Sequence, residues 1–239
     1  MKETKKAYVD TWILAENNDK HRVKALENAS RHFEEKDNLT VNTLEAIYGQ
    51  ESSFGTNFKN NRGSDAGAGH FQLEKKTAEQ YNLIVKKDND QRFDIDYSSD
   101  VAARYLKDLY NYFSKSTVLS STIRTIPVKD TKERKKFALA AYNAGQGRIA
   151  QAQIEAEKAG ENPALWDIAK EYLRQAGANE KKEKIIKEYV VSIEVYEQEF
   201  VLKSPADKEA KNKKPKPVKS SGEEGCHWVT LDQGPVCID

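Results

Sequence analysis

One stretch of the sequence places an acidic side chain on the apolar face of a helix. Val41, Leu44 and Tyr48 recur at helical spacing, and Glu51 falls on the same face three residues further on. A helix through this stretch carries a carboxylate toward a core. The alternative is an ordinary glutamate at a solvated helix end, and three further segments bear on that choice.

The ends of this helix also bear on the chemistry of the acid. Asn42 followed three residues later by Glu45 fits a capping box, and Gly55 offers a stop beyond the last turn. Glu51 then lies near the helix C-terminus, where the macrodipole and partial burial beside Phe54 both raise the pKa of a carboxyl group. An acid that is still protonated near neutral pH suits general acid catalysis on an ether-like oxygen.

A glycine-rich block follows at residues 63–73. Three glycines within seven residues allow the backbone to approach a ligand closely. Gln72 offers both a donor and an acceptor to a ligand with hydroxyl and amide groups. Taken alone, the block is a glycine-rich turn.

Two later segments are helical and end in polar side chains. Residues 138–149 form a small-residue helix that ends at Gly145 and restarts after Gly147, with Tyr142 and Asn143 in the last turn. Residues 185–191 place Tyr189 within another helical pattern.

In this order, the segments resemble the soluble lytic transglycosylases, the goose-lysozyme-like enzymes of glycoside hydrolase family 23. The resemblance extends over about residues 38–200, and residues 94–106 also look like the long helix of the family. The four matching motifs are Glu51-Ser52, Gly69 to Leu73, Ala141 to Gly145, and Tyr189-Val190.

The resemblance implies a mainly α, lysozyme-like helical catalytic domain and a peptidoglycan lytic transglycosylase. Such an enzyme cleaves the β-1,4 bond between N-acetylmuramic acid and N-acetylglucosamine and forms a 1,6-anhydromuramic product. Glu51 would be the catalytic acid and base, and Tyr189 would orient its carboxylate. The residues expected to contact substrate are Ser52, Ser64, Gln72, Tyr142, Asn143 and Tyr189.

Three departures from the family pattern stand out. His70 replaces an apolar residue near the expected cleft, and one residue is missing before Gly69, so the loop there is expected to be reshaped. Ile185 stands where the family often has a glutamate, four positions before the late tyrosine.

Two other functions remain open. The first is hydrolysis of the same bond by a goose-type muramidase, which needs a second acid to activate water. Asp65 and Glu74 flank the glycine block and are the candidates for that acid. The alternative is that Asp65 only forms a turn and that Glu74 is an ordinary solvated glutamate. The second is a non-catalytic cell-wall-binding module, of which loss of the acid would be the usual sign.

The pattern divides the chain into four parts, namely an N-terminal helical extension at 1–37, the catalytic domain at 38–202, a Lys/Pro-rich linker at 203–224 and a small Cys-containing tail at 225–239. We expect one or two helices over 5–36 and a helix over 99–113 that Ser98 or Ser99 caps. This second helix carries a predicted core stripe, in which an apolar residue recurs every four positions at Val101, Tyr105, Leu109 and Phe113. Residues 114–136 form a long connection, for which a role in shaping the glycan cleft is a hypothesis.

The C-terminal parts have less specific patterns. The lysine-rich linker invites a nucleic-acid role, but its prolines and its lack of aromatic residues favour a solvated tether. Cys226 and Cys237 are too sparse for structural zinc. A disulfide that closes a hairpin is the favoured interpretation, with a free pair as the alternative.

Composition excludes several classes of function. A net charge of +1 gives no reason to expect nucleic acid, and no apolar run is long enough to span a membrane. We expect no metal or cofactor, peptidoglycan glycan strands as the partner, a monomer, and a periplasmic or extracellular mature form whose signal is not visible. Endo or exo cleavage, the preferred peptide stem, the export route or membrane tether, and a cell-wall, phage or secretion role all stay open.

Overall fold

The computed structural model describes residues 20–57, 61–203, 227–231 and 234–238. The chain divides into two units, Met1–Lys203 and Ser204–Asp239. Within the described residues of the first unit no strand forms, only isolated bridges, so the prediction of a mainly α-helical fold is confirmed. Its helices are α1 (Lys20–Ser30), α2 (Val41–Ser52), α3 (Lys75–Gln80), α4 (Ile95–Tyr112), α5 (Thr131–Ala144), α6 (Gln146–Lys158), α7 (Trp166–Ala169) and α8 (Glu180–Lys203), with 3₁₀ turns at Glu35–Asp37, Gln91–Phe93 and Lys170–Tyr172.

Helix α2 begins two residues earlier than the sequence suggested. The backbone N–H of Thr43 donates to the hydroxyl of Thr40, and the backbone N–H of Thr40 donates to the hydroxyl of Thr43, at 3.4 and 3.0 Å. This reciprocal pair satisfies two free amides at the helix start. The predicted capping box of Asn42 and Glu45 is therefore wrong, and Glu45 is buried within the helix.

Helix α4 also starts earlier than predicted. The side chain of Asp94 accepts from the backbone N–H groups of Asp96 and Tyr97, at 2.9 and 3.3 Å, and so caps the helix. Ser98 and Ser99, the predicted caps, are buried inside it. Of the predicted stripe, Val101, Leu109 and Phe113 lie in the core, whereas Tyr105 is only partly buried.

The packing of the helices brings distant parts of the chain together. Helix α2 packs along α8, α1 packs along α4, and α5 contacts α4, α6 and α8. One face of α8 is buried, with Ile186, Tyr189, Val190 and Ile193 in the core. The last turn of α2 therefore lies beside the middle of α8, which is what positions the candidate site.

The connection before α5 spans residues 113–130 and is held against the protein. The Thr125 hydroxyl lies within hydrogen-bond distance of the carbonyl oxygens of Tyr112 and Lys115, at 2.7 and 2.8 Å. Gln153 of α6 bonds both the N–H and the carbonyl of Ile126, each at 3.0 Å. None of the connection lines the cavity beside Glu51, so the hypothesis that it shapes the cleft gains no support.

In the second unit, strands β1 (His227–Leu231) and β2 (Gly234–Ile238) form an antiparallel hairpin with Trp228 opposite Cys237. Cys226 lies outside the described residues, and so do residues 204–224 of the predicted linker and the predicted helical pattern before residue 20. Within the described ranges, no helix combines the length and apolar character needed to cross a bilayer.

Candidate active site

Glu51 lies in the last turn of α2, with its carboxyl group turned toward α8. The Tyr189 hydroxyl donates to Glu51 Oε1 at 2.7 Å, across a sequence separation of 138 residues. Burial raises the pKa of Glu51 to about 7, against the opposing effects of the Tyr189 hydrogen bond and the charge of Lys182. The carboxyl group is thus still substantially protonated near neutral pH, as expected for a general acid.

The acid lies where two cavities meet. One cavity has a volume of about 370 Å³, and the other, of about 290 Å³, opens beside Tyr189 and Ile185. Glu51 and Asn143 line both. The larger cavity also has Gln72, Glu74, Tyr105, Tyr142, Arg148 and Lys182 in its walls.

The glycine-rich loop forms one wall of the larger cavity and is tied to α5. Gln72 has a left-handed backbone, with φ of 48°, and its side-chain amide donates to the carbonyl of Gly69 at 2.8 Å. The Tyr142 hydroxyl donates to the carbonyl of Phe71 at 3.1 Å. These contacts bring Gln72, Tyr142 and Asn143 to the same cavity as Glu51, and their role in binding glycan stays a prediction.

A buried ion pair holds this loop in shape. Arg92 and Asp90 have fully buried side chains and lie 2.8 Å apart at their closest charged atoms. The Arg92 guanidinium also donates to three carbonyl oxygens of the loop, those of Ser64, Ala66 and Leu73, at 3.0, 2.8 and 3.0 Å. The loop therefore wraps around a cation whose charge is compensated inside the protein.

Two glycines of the loop are required by close backbone contacts. Gly69 has φ of +71°, and a Cβ atom there would lie 1.9 Å from the carbonyl oxygen of Arg92. A Cβ atom on Gly67 would lie 2.6 Å from the carbonyl oxygen of Gln72. The glycines therefore allow two segments of the protein backbone to approach each other closely, and this contact shapes the cavity wall.

Two serines predicted to contact substrate lie outside both cavities. Ser52 is 1% exposed; its hydroxyl donates to the carbonyl of Tyr48 and accepts from the N–H of Gly55, at 3.2 and 3.0 Å. The hydroxyl of Ser64 is buried and bonds none of the described residues. In the free protein Ser52 closes the turn after α2 and Ser64 contributes its carbonyl to the Arg92 cluster, so a substrate contact of either hydroxyl stays a prediction.

The structure also shows which of the other side chains near the glycines face the cavity. Asp65 is 97% exposed at its side chain, lies 3.8 Å from Lys75 and does not line the cavity, whereas Glu74 does. His70 is buried behind the loop, with its ring nitrogens 3.3 Å from the Tyr48 hydroxyl and 3.2 Å from the carbonyl of Phe93. His70 therefore supports the loop and does not face the cavity.

Sequence reasoning missed three residues of the larger cavity. Lys182 donates from Nζ to the carbonyl oxygen and to Oδ1 of Asn143, at 3.1 and 3.2 Å. Arg148 follows the small-residue helix, and Tyr105 packs its ring 5.4 Å from that of Tyr142. Tyr105 belonged to the predicted core stripe, and burial raises its pKa to about 12. Nothing in the sequence marked Lys182.

A known protein family matches the part of the chain that carries most of this cavity. The family model "Transglycosylase SLT domain" matches residues 28–164, more than half of the chain. The chain belongs to this family. The SLT match includes Glu51, the glycine loop and Tyr142 with Asn143, and it ends before Lys182 and Tyr189.

A curated relative of this SLT domain protein is named a membrane-bound lytic murein transglycosylase F, from Desulfosudis oleivorans (strain DSM 6200 / JCM 39069 / Hxd3). The two are 29% identical over 130 residues. The match covers 54% of this chain and 24% of the relative, so this chain spans about a quarter of that protein.

Proposed function

We propose that this chain is a lytic transglycosylase that cleaves the β-1,4 bond between N-acetylmuramic acid and N-acetylglucosamine in peptidoglycan, with a 1,6-anhydromuramic product. The proposal depends above all on Glu51, a carboxyl group with a pKa of about 7 that accepts a hydrogen bond from Tyr189 at a cavity. Membership of the SLT family supports it. We assign the reaction to residues 38–202 and to a periplasmic or extracellular site, where this polymer lies.

The first step needs a protonated acid. Glu51 gives its proton to the oxygen that links the two sugars while the bond from that oxygen to the anomeric carbon breaks. The acetamido group of the muramic residue assists at the anomeric carbon. The Tyr189 hydroxyl donates to the carboxylate that Glu51 has become, and so stabilises the charge that develops.

The second step returns the proton. The C6 hydroxyl of the same sugar attacks the anomeric carbon and displaces the acetamido oxygen that assisted there, and Glu51 takes the proton that this hydroxyl loses. Because the nucleophile belongs to the substrate, it has a high effective concentration and no water needs activation. One carboxyl group thus performs both proton transfers, and Gln72, Tyr142 and Asn143 position the sugars in the cavity.

Hydrolysis remains the second candidate because Glu74 lines the same cavity as Glu51. A hydrolase needs a second carboxylate to activate water. Asp65 is a poor candidate for that role, because it lies away from the cavity walls.

Replacement Glu74→Gln distinguishes the two reactions: a transglycosylase should retain nearly all of its turnover, whereas a hydrolase should lose most of it. Asp65→Asn serves as the matched control outside the cavity.

Mass spectrometry of the soluble fragments from purified peptidoglycan tests the product directly. We expect fragments lighter by one water than ordinary muropeptides, and no release by Glu51→Gln, which cannot act as an acid. Ordinary reducing ends would replace the proposed reaction with hydrolysis. Appreciable release by Glu51→Gln would refute the role of Glu51, and no release by the native protein under any condition would favour a non-catalytic wall-binding module.

A further inference from the structure

Two cations line the larger cavity without an ion-pair partner among the described residues. The ammonium group of Lys182 donates hydrogen bonds to the backbone carbonyl oxygen and to Oδ1 of Asn143, at 3.1 and 3.2 Å. Arg148 donates from Nη1 to the carbonyl of Ala144 at 3.2 Å, and its Nε is buried without a hydrogen bond to any described residue. A buried charged donor without an acceptor is unfavourable, so Arg148 would be stabilised by a ligand that brings an acceptor to its guanidinium.

The two cations also lie close enough to affect each other. Burial and the charge of Arg148 lower the pKa of Lys182, while Glu51 and Glu74 act in the opposite direction. Near neutral pH Glu51 supplies only about half of a compensating negative charge, because its pKa is about 7 and roughly half of the carboxyl groups are protonated there. Two like charges beside each other in a partly desolvated cavity repel, and an anion placed between them would be attracted to both.

Other lysines of the same helix show a different arrangement. Lys187, further along α8, bonds Glu183 and Glu171 at 2.7 and 2.9 Å, as expected for a cation that forms surface ion pairs. Lys184 is exposed and does not line the cavity. Lys182 thus differs from Lys187 in having no ion pair among the described residues, and from the exposed Lys184 in lining the cavity beside Glu51.

We propose that Lys182 and Arg148 form a carboxylate-binding site, which holds an acidic substituent of the muramic residue beside the bond that is cleaved. This inference rests on the proposed function and specifies which part of peptidoglycan the cavity recognises. Two sources supply the carboxylate: the free lactyl group of a muramic residue that lacks a peptide, or the first carboxylate of an attached peptide stem. A glycan of N-acetylglucosamine alone has neither.

Binding by the Glu51→Gln protein tests the site without consuming the ligand. Titration calorimetry compares three oligosaccharides of equal length: a stem-free muramic glycan, a stem-bearing one and a chitin oligomer. The variants Lys182→Gln and Arg148→Gln are added to Glu51→Gln, with Lys184→Gln as the matched control on the same helix. Lys182→Arg keeps the charge, and chitin binding shows whether each variant retains a folded cavity.

We expect Lys182→Gln and Arg148→Gln each to weaken binding of at least one muramic ligand by about tenfold or more, which is typical for loss of a hydrogen bond to a charged group. Lys184→Gln should change none of the affinities, Lys182→Arg should retain most of the binding, and chitin should bind all variants alike. Selective loss on the stem-free ligand would assign the lactyl carboxylate, and selective loss on the stem-bearing ligand the peptide.

Two results would overturn the carboxylate site. One is an equal loss on chitin, which would mean that the cations support the cavity and bind no acidic group. The other is unchanged binding of both muramic glycans. If the Glu51→Gln protein bound none of the three glycans, the proposed function itself would fail, and the site with it.

Discussion

Replacement of Glu51 by glutamine should stabilise the protein, and by an amount that depends on pH. Burial raises the pKa of this carboxyl group in the folded protein from 4.5 to about 7. The folded state therefore binds more protons than the unfolded state between these values, and the free energy of unfolding falls as the pH rises through that window. At about 1.4 kcal/mol for each pH unit, the ionised acid destabilises the folded state by about 3 kcal/mol above pH 7.

Glutamine has nearly the same shape, keeps an acceptor for the Tyr189 hydroxyl and never ionises. Glu51→Gln should therefore raise the free energy of unfolding by up to about 3 kcal/mol at pH 8, or the melting temperature by roughly 6–12 °C. Below pH 4.5 the difference should nearly vanish, because the native acid is then neutral in both states.

Urea unfolding of both proteins at several pH values between 4 and 8.5 measures this difference. Glu79→Gln, at an exposed glutamate of α3, is the control and should show no comparable dependence on pH. A Glu51→Gln difference that stays constant across the pH range would refute the argument, since only a titrating group can produce the slope. A Glu51→Gln protein that is less stable than the native protein near neutral pH, by a gap that closes toward acid pH, would mean that the pKa of Glu51 is lowered instead.

Two other substitutions test the surroundings of the acid. Tyr189→Phe removes the hydrogen bond that lowers the pKa of Glu51; the fall in kcat/KM above neutral pH should then shift to higher pH, and a shift to lower pH in the measured pH profile would contradict this. Gly69→Ala forces a Cβ atom to 1.9 Å from the carbonyl oxygen of Arg92 at a positive φ, so thermal unfolding should show a loss of more than about 2 kcal/mol. Gly147→Ala, with no atom within 4 Å of the added Cβ, should stay within about 1 kcal/mol of the native protein, and an equal loss in both variants would contradict the steric argument.

Helices could be predicted from the sequence better than their ends. The stripe of Val101 and Leu109 identified α4, because a helix that covers a core needs apolar residues at this spacing. The caps were assigned wrongly, since several polar residues stand in a row at each start. Thr40 and Asp94 are the residues whose side chains reach the free amides, and only the folded backbone shows this.

The site was predictable where distant motifs could be matched to a family, and not where packing alone decides. The resemblance led to the expectation that Tyr189 bonds Glu51, and the structure contains that hydrogen bond. Lys182 could not be selected, because it stands among Lys181 and Lys184 in a lysine-rich turn that is typical of a solvated helix face. Its place beside Asn143 follows from how α8 packs on α5.

The buried pair of Asp90 and Arg92 was equally hidden, because charged residues two apart in sequence are usually exposed. Nor could the sequence exclude Ser52 from the cavity. The serine follows the acid directly, but successive residues of a helix point about 100° apart, so Ser52 turns into the core while Glu51 faces the cleft.

The cage of carbonyl oxygens around Arg92 has a thermodynamic consequence for ligand association. Ordering a flexible segment costs about 1–2 kcal/mol for each residue, and a loop that closes only around its ligand loses that entropy in the binding step. Here the guanidinium fixes the loop through Ser64, Ala66 and Leu73 in the free protein. The entropy of the loop is therefore lost during folding, and a ligand that enters the cavity meets a wall that is already ordered.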